Sequence, residues 1–207
     1  MHKKASLVAE ALTRSGALKF GDFKLKSDIT SPYYIDLTWL LSSPKDFEYI
    51  VNTVAEKIRK LSISKPIEKL ASIELKGALL LPSIATKLGM SCIIVRKETK
   101  TYGMTGRITG GEVKKGDRLI FFDDVVTSGS SKLEGIKPIE EAGGKIEIIL
   151  VVVDREQGGK ESLEKQGYHV ESVTTITNLV KNLQSSGGLS REQTQKIMEY
   201  LRRQPPD

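Results

Sequence analysis

The sequence predicts an α/β protein with a central parallel sheet of about five strands, flanked by helices and preceded by a small N-terminal hood. Two observations carry that prediction. Continuous apolar runs at Leu70–Ile73, Cys92–Val95, Leu119–Phe122, Ile146–Val153 and Tyr168–Val173 read as strands covered on both faces. Helical candidates at Ala78–Leu88, Ser130–Ala142 and Lys160–Lys165 separate them, and strand alternating with helix is the pattern of a parallel sheet. A chain of 207 residues suits one domain and can bury a sizeable core without staples. It divides into a helix and hood over 1–43, an α/β core over 44–175 and a helical extension over 176–207.

Residues 3–14 present Leu7, Val8, Ala11 and Leu12 on one helical face. The hood follows, with alternation at Phe23–Lys24–Leu25–Lys26 and a second β-like run at Tyr33–Leu37. Asp28 to Pro32 supply turn chemistry between them. Ser43-Pro44 opens a helix through about Leu61, with Pro44 in the first turn, where a missing N–H costs nothing. After the core, Thr175–Leu183 and Ser190–Arg202 read as two helices around Ser186-Gly187-Gly188, and Ser190 with Gln193 forms a capping box. This extension shows no chemistry and reads as scaffold.

The net charge is +6, and its excess lies in the first 115 residues, which hold 20 Lys/Arg against 11 Asp/Glu, whereas the remainder holds 12 against 15. Clustered cations suit an anionic partner, either a polyphosphate or nucleic acid. The lone Cys92, within SCIIV, cannot form an intrachain disulfide and reads as a structural thiol. The N-terminus lacks the apolar segment of a signal peptide, and no run approaches the ~20 apolar residues of a membrane span. A cytoplasmic location, with no membrane partner, is therefore expected. His2 and His169 lie outside every motif.

The chemistry centres on Leu119–Ser131, LIFFDDVVTSGSS. Asp123 and Asp124 directly follow the apolar strand run, at the carboxyl edge where open α/β sheets bind ligands. Adjacent carboxylates repel unless a cation, a metal or hydroxyl donors offset them. Val125 and Val126 fill a turn, and Thr127, Ser128, Gly129, Ser130 and Ser131 lead into a helix whose free N–H groups make an anion cradle. Carboxylates for a sugar diol beside a cradle for phosphate fit a phosphorylated ribose. The plain alternative is a strand-end acid pair before an ordinary helix cap. A nucleotide-hydrolase site would want a GxxxxGK[ST] loop, and the chain has none.

Between Val95 and Leu119 runs RKETKTYGMTGRITGGEVKKGD, rich in glycine and basic at Arg96, Lys97, Lys100 and Arg107. It exceeds the ~12–15 residues usual for an unstructured connection, so a loop that closes over an anionic substrate is expected. A solvent-exposed β-ribbon whose lysines keep it soluble is the alternative.

LIFFDDVVTSGSS resembles the phosphoribosyl-pyrophosphate (PRPP) motif of the type I phosphoribosyltransferases, and residues 1–175 resemble the orotate phosphoribosyltransferase family. The resemblance implies that family's five-stranded parallel sheet and hood. It implies that Asp123 and Asp124 face the ribose hydroxyls while Thr127 to Ser131 hold the 5-phosphate. VRKETKTYG resembles the family's mobile loop, so Arg96, Lys97 and Lys100 would contact pyrophosphate, Arg96 in a neighbouring subunit's site. Tyr102 stands where many members have histidine, and its phenol can still donate a hydrogen bond. KLKSDITSPYYID resembles the region in which Lys26 reaches PRPP and Tyr33 and Tyr34 pack around the pyrimidine; core packing is the alternative for the tyrosines. Lys76 in IELKG matches a PRPP-contacting lysine. Arg155 in VVVDREQGG matches the arginine that pairs with the orotate carboxylate, with Thr127 contacting the base; a salt bridge to Asp154 or Glu156 is its alternative.

The implied reaction joins PRPP to orotate, with Mg2+ carried by PRPP and no metal held directly by the protein. The implied assembly is a homodimer whose 96–112 loop reaches the neighbouring site, without nucleic acid. Two rivals share the PRPP motif: a phosphoribosyltransferase for another base, and a PRPP-sensing nucleic-acid-binding regulator.

Overall fold

The structure, a computed structural model, describes residues 2–24, 30–100 and 106–203. Helix α1 (His2–Arg14) precedes the hood, an antiparallel pair of β1 (Leu18–Lys24) and β2 (Thr30–Ile35). A 3-10 turn (Leu37–Ser42) leads to α2 (Pro44–Leu61), which begins at the expected proline. The core then runs β3 (Lys69–Ile73), α3 (Lys76–Leu88), β4 (Ser91–Lys100), β5 (Gly106–Thr109), β6 (Arg118–Val126), α4 (Ser130–Glu141), β7 (Lys145–Asp154), α5 (Gly159–Lys165) and β8 (Val170–Thr175). Helices α6 (Ile176–Ser185) and α7 (Arg191–Arg203) complete the described chain. No described helix is long and apolar enough to cross a membrane.

The main sheet has six strands in the order β5-β4-β3-β6-β7-β8. The five expected strands are parallel, and β5 adds an antiparallel edge. The chain places β4 on one side of β3 and returns to place β6 on the other. That reversal is a topological switch point, and the crevice beyond the carboxyl ends of β3 and β6 is where such sheets take ligands.

Alternation along the strands divides the core. Ile120, Phe122, Leu150 and Val152 face α1, α2, α3 and α6, whereas Leu119, Phe121, Ile149 and Val151 face α4 and α5. This two-sided burial explains why the strands read as continuous apolar runs. The capping box also forms: Gln193 N–H donates to Ser190 Oγ at 3.1 Å and Ser190 N–H to Gln193 Oε1 at 3.0 Å.

Three boundaries differ from the sequence reading. Strand β6 does not stop at Phe122. Asp123, Val125 and Val126 pair with Val151, Val153 and Asp154, because the long apolar run of β7 continues the ladder. The acidic pair is therefore part of the strand, and so are Val125 and Val126, which the sequence places in a turn. The described part of the basic glycine-rich stretch is paired on both sides of residues 101–105: β4 extends to Lys100 and pairs with β5 through Val95↔Ile108 and Lys100↔Gly106. The hood strands begin earlier than the alternation at Phe23 suggested, since Leu18 pairs with Ile35 and both are buried.

Candidate functional site

The site is built where β6 leaves the sheet. Asp123 and Asp124 are only 5 % and 4 % exposed, so two neighbouring carboxylates sit in a nearly dry place. The cation that this pair demands is Lys132, in the first turn of α4 and itself 4 % exposed. Its Nζ lies 2.7 Å from Asp123 Oδ2, donates to the carbonyl of Val125 and approaches Ser131 Oγ at 3.3 Å. One ammonium thus ties the acidic strand end to the start of the hydroxyl-rich helix.

The two acids are not equivalent. Asp123 Oδ1 accepts the N–H of Asp124 at 2.9 Å, and its other oxygen faces Lys132. Asp124 accepts only the N–H of Val125 at 2.8 Å through Oδ1, while its buried Oδ2 has no partner among the described residues. Burial, then the charge of Asp123, push the Asp124 carboxyl up to about 7, against the pull of Lys132 and Lys76. Such an oxygen is suited to receiving hydroxyl donors from a ligand.

Beyond Val126 the chain turns through Thr127 and the exposed Ser128 to Gly129, whose φ of 89° lies in the left-handed region. Ser128 and Ser130 hydroxyls lie 3.2 Å apart. The Lys132 N–H donates to the Gly129 carbonyl at 2.9 Å, and the N–H groups of Ser130 and Ser131 stand before the helical ladder, at the positive end of the helix dipole. Two glycines hold the arrangement from behind. A Cβ on Gly77 would stand 2.5 Å from Asp123 Oδ1 and 2.7 Å from Asp123 Cα. A Cβ on Gly159 would stand 2.2 Å from the carbonyl oxygen of Thr127. Helices α3 and α5 therefore press backbone-close against the acid pair and the cradle.

Lys76, at the start of α3, reaches Asp36 at 3.3 Å and so links this crevice to the hood. Arg155 joins from the end of β7, where its N–H donates to the carbonyl of Val126 at 3.1 Å and sets it beside Thr127. The expected alternative, a salt bridge to Asp154 or Glu156, does not form. Asp154 accepts the N–H of Glu156, and Glu156 accepts the N–H of Thr177, both at 2.8 Å. The Arg155 guanidinium instead lies 5.3 Å from the centre of the Tyr33 ring, and its Nε is buried without a partner.

The structure thus gathers Lys76, Asp123, Asp124, Val125 to Ser131 and Arg155 at one sheet edge. Arg96 and Lys97 follow Val95, which pairs with Ile73, so they begin at the same edge. Arg96 is half-buried; Lys97 is exposed, and its N–H donates to Glu74 at 2.6 Å. Lys100 ends the β4 ladder opposite Gly106. Lys26 and Tyr102 lie outside the described residues. Tyr33 has no exposed surface and packs in the core, as one of its two readings expected. Tyr34 is exposed and stacks on Phe23 at 5.6 Å.

Sequence reasoning missed Lys132, Gly77 and Gly159. The first was within reach, because two adjacent carboxylates require a cation and Lys132 is the first basic residue after them. The glycines carried no such signal, since their role depends on a close approach that spacing does not reveal.

A switch-point crevice with a strand-borne acid pair, a hydroxyl-rich helix start and a hood is the arrangement that the resemblance to the type I phosphoribosyltransferases implied. No family model matches the chain. It is 39 % identical over 175 residues to an orotate phosphoribosyltransferase of Pyrococcus furiosus, covering 84 % of this chain and 92 % of that one. An orotate phosphoribosyltransferase of Pyrococcus horikoshii is 34 % identical over 183 residues, covering 88 % and 95 %. Among solved structures, Leishmania donovani UMP synthase superposes with a TM-score of 0.83 at 30 % identity, covering 95 % of this chain and 42 % of that one. The chain belongs to the orotate phosphoribosyltransferase family, and it is a pentosyl-transferring enzyme by that membership.

Proposed function

We propose that the chain, as a single phosphoribosyltransferase domain, transfers the phosphoribosyl group of PRPP to N1 of orotate, giving orotidine 5′-monophosphate and pyrophosphate. One observation carries this reading. Arg155 keeps its guanidinium free of any ion pair among the described residues, one backbone bond away from the acid pair and cradle. A planar fork there suits a planar carboxylate, which orotate has and most bases lack.

No nucleophilic side chain is needed. The C1–O bond to pyrophosphate weakens first, positive charge grows on the ribose ring, and N1 of the base takes C1 from the other side. Asp123 and Asp124 accept the ribose hydroxyls and Thr127 to Ser131 hold the 5-phosphate, so positioning supplies much of the rate. Lys97, Lys100 and the Arg96 that a neighbouring copy of the chain supplies stabilise the departing pyrophosphate, while Lys26, Lys76 and Tyr102 contact PRPP. Tyr34 and Thr127 contact the base, and Arg155 its carboxylate.

Magnesium fits this site as an ion brought by the donor. Such ions bind chiefly through substrate phosphates, and the unpartnered Asp124 Oδ2 beside the helix start leaves the acid pair open to a ribose phosphate that carries one. When bound it neutralises charge on the leaving pyrophosphate. A homodimer in which the 96–112 loop serves the neighbouring site, located in the cytoplasm, completes the reading.

The test is pyrophosphate release from PRPP and magnesium with a panel of bases. Release with orotate alone is expected. Release with another base instead, or with none, would refute it.

A further inference from the structure

The C-terminal helix α7 reads as scaffold in the sequence, yet it delivers a ring against Tyr33, behind the Arg155 guanidinium. Tyr200 meets Tyr33 edge to face, with ring centres 6.0 Å apart and planes at 88°. Tyr33, fully buried, lies against Arg155, whose guanidinium carbon is 5.3 Å from the ring centre. The hydroxyls of Tyr33 and Tyr200 and Nε of Arg155 are all buried without hydrogen-bond partners among the described residues. Packing and the attraction of a cation to a π-face therefore hold this cluster. Burial raises the pKa of the Tyr33 hydroxyl, and the guanidinium lies close enough to pull it down against that effect.

That mode of support has a chemical consequence. A carboxylate partner would orient a guanidinium by consuming its N–H donors. An aromatic face orients it without consuming any, leaving the in-plane fork for a ligand. The support works only if the Tyr33 ring is itself fixed, and Tyr200 closes the space in which it would swing. Helix α7 is anchored for this task. Ile197 is buried in the core on one side, and Lys196 reaches Asp22 of the hood at 2.6 Å on the other.

We infer that Tyr200 is a positioning residue for acceptor recognition: through Tyr33 it fixes the guanidinium of Arg155 that takes the carboxylate of the base. This rests on the proposed pairing of Arg155 with orotate. It assigns the C-terminal extension a part in choosing the base, with none in holding the donor.

The experiment compares Tyr200→Ala, Tyr200→Leu, Tyr200→Phe and Arg155→Ala in the full chain, by steady-state kinetics and by inhibition with uracil, which lacks the carboxylate. Tyr200→Leu keeps apolar volume and guards against a variant that fails to fold. Tyr200→Ala and Tyr200→Leu are expected to raise KM for orotate roughly tenfold, the loss of one desolvated cation–π support, with KM for PRPP within about twofold. Tyr200→Phe should behave as wild type, because the hydroxyl has no partner. Inhibition by uracil should not change. If Arg155→Ala leaves orotate binding intact, the underlying pairing fails. If Arg155→Ala weakens orotate but Tyr200→Leu does not, the pairing stands and this inference fails. Equal rises in both KM values for Tyr200→Leu would reduce Tyr200 to general packing and overturn it.

Discussion

Replacing Lys132 by methionine keeps length and apolar bulk and deletes one charge. The structure sets the cost. Lys132 and Asp123 form a buried pair at 2.7 Å, and removing one member of such a pair leaves an uncompensated charge worth about 3–5 kcal/mol. For a domain near 200 residues, that amounts to a fall in Tm of roughly 10 °C. The pH dependence follows from Asp124. Its carboxyl in the folded chain is raised to about 7, above its ordinary value of 3.8, so the folded state binds the extra proton between these limits. Stability therefore falls as pH rises through that window, and above it the full cost of the buried charge is present. Lys132 opposes this rise, so its loss pushes the Asp124 carboxyl higher still. The deficit of Lys132→Met should be largest at pH 8 and smaller at pH 5. Calorimetric unfolding at both pH values measures it, and Asp123→Asn in the same chain should restore much of the loss. A Tm change below about 2 °C, or one equal at both pH values, would refute the reasoning.

Other perturbations probe the remaining parts. Gly159→Ala places a Cβ 2.2 Å from the Thr127 carbonyl oxygen, so the cradle must shift by about 1 Å; kcat/KM for PRPP should fall about 100-fold, and a change under threefold would contradict the assigned contact. Donor binding should release protons at pH 6.5, because ribose hydroxyls favour the ionised form of Asp124, and affinity should rise as pH approaches 7 from below and level off above it. Calorimetry in two buffers of different ionisation enthalpy detects the release, and Asp124→Asn should abolish the protein's share of it. Lys100→Ala should lower turnover far more than orotate affinity, since its contact matters most as pyrophosphate leaves; turnover within a few-fold of wild type would remove it from the mechanism.

Much of this fold was legible because burial on both faces leaves a one-dimensional trace. Runs such as Leu119–Phe122 and Ile146–Val153 are continuous for the same reason that Phe121 and Phe122 pack on opposite sides of the sheet. The acid pair and cradle were legible because their residues are contiguous. What resisted reading depends on long-range pairing. Polar Asp123 and Asp124 belong to a strand because β7 supplies their partners, and no local pattern announces that. The lysines and glycines of the 96–117 stretch look like loop composition until Val95 meets Ile108. Tyr33 reads as a base-contacting ring or as core, and its buried packing depends on a residue from α7, far along the chain.

The extension of β6 through the acid pair has a further consequence. Asp123, Val125 and Val126 lie in the same ladder that holds the core, and the N–H groups of Asp124 and Val125 are tied to the Asp123 and Asp124 carboxylates, so this backbone is fixed twice over. The entropy of arranging these carboxylates is lost during folding and not again at each encounter with a ligand. Recognition of the ribose and integrity of the sheet are then one equilibrium. Any substitution that loosens the pairing of β6 with β7 should weaken donor binding in proportion, even from the far end of either strand.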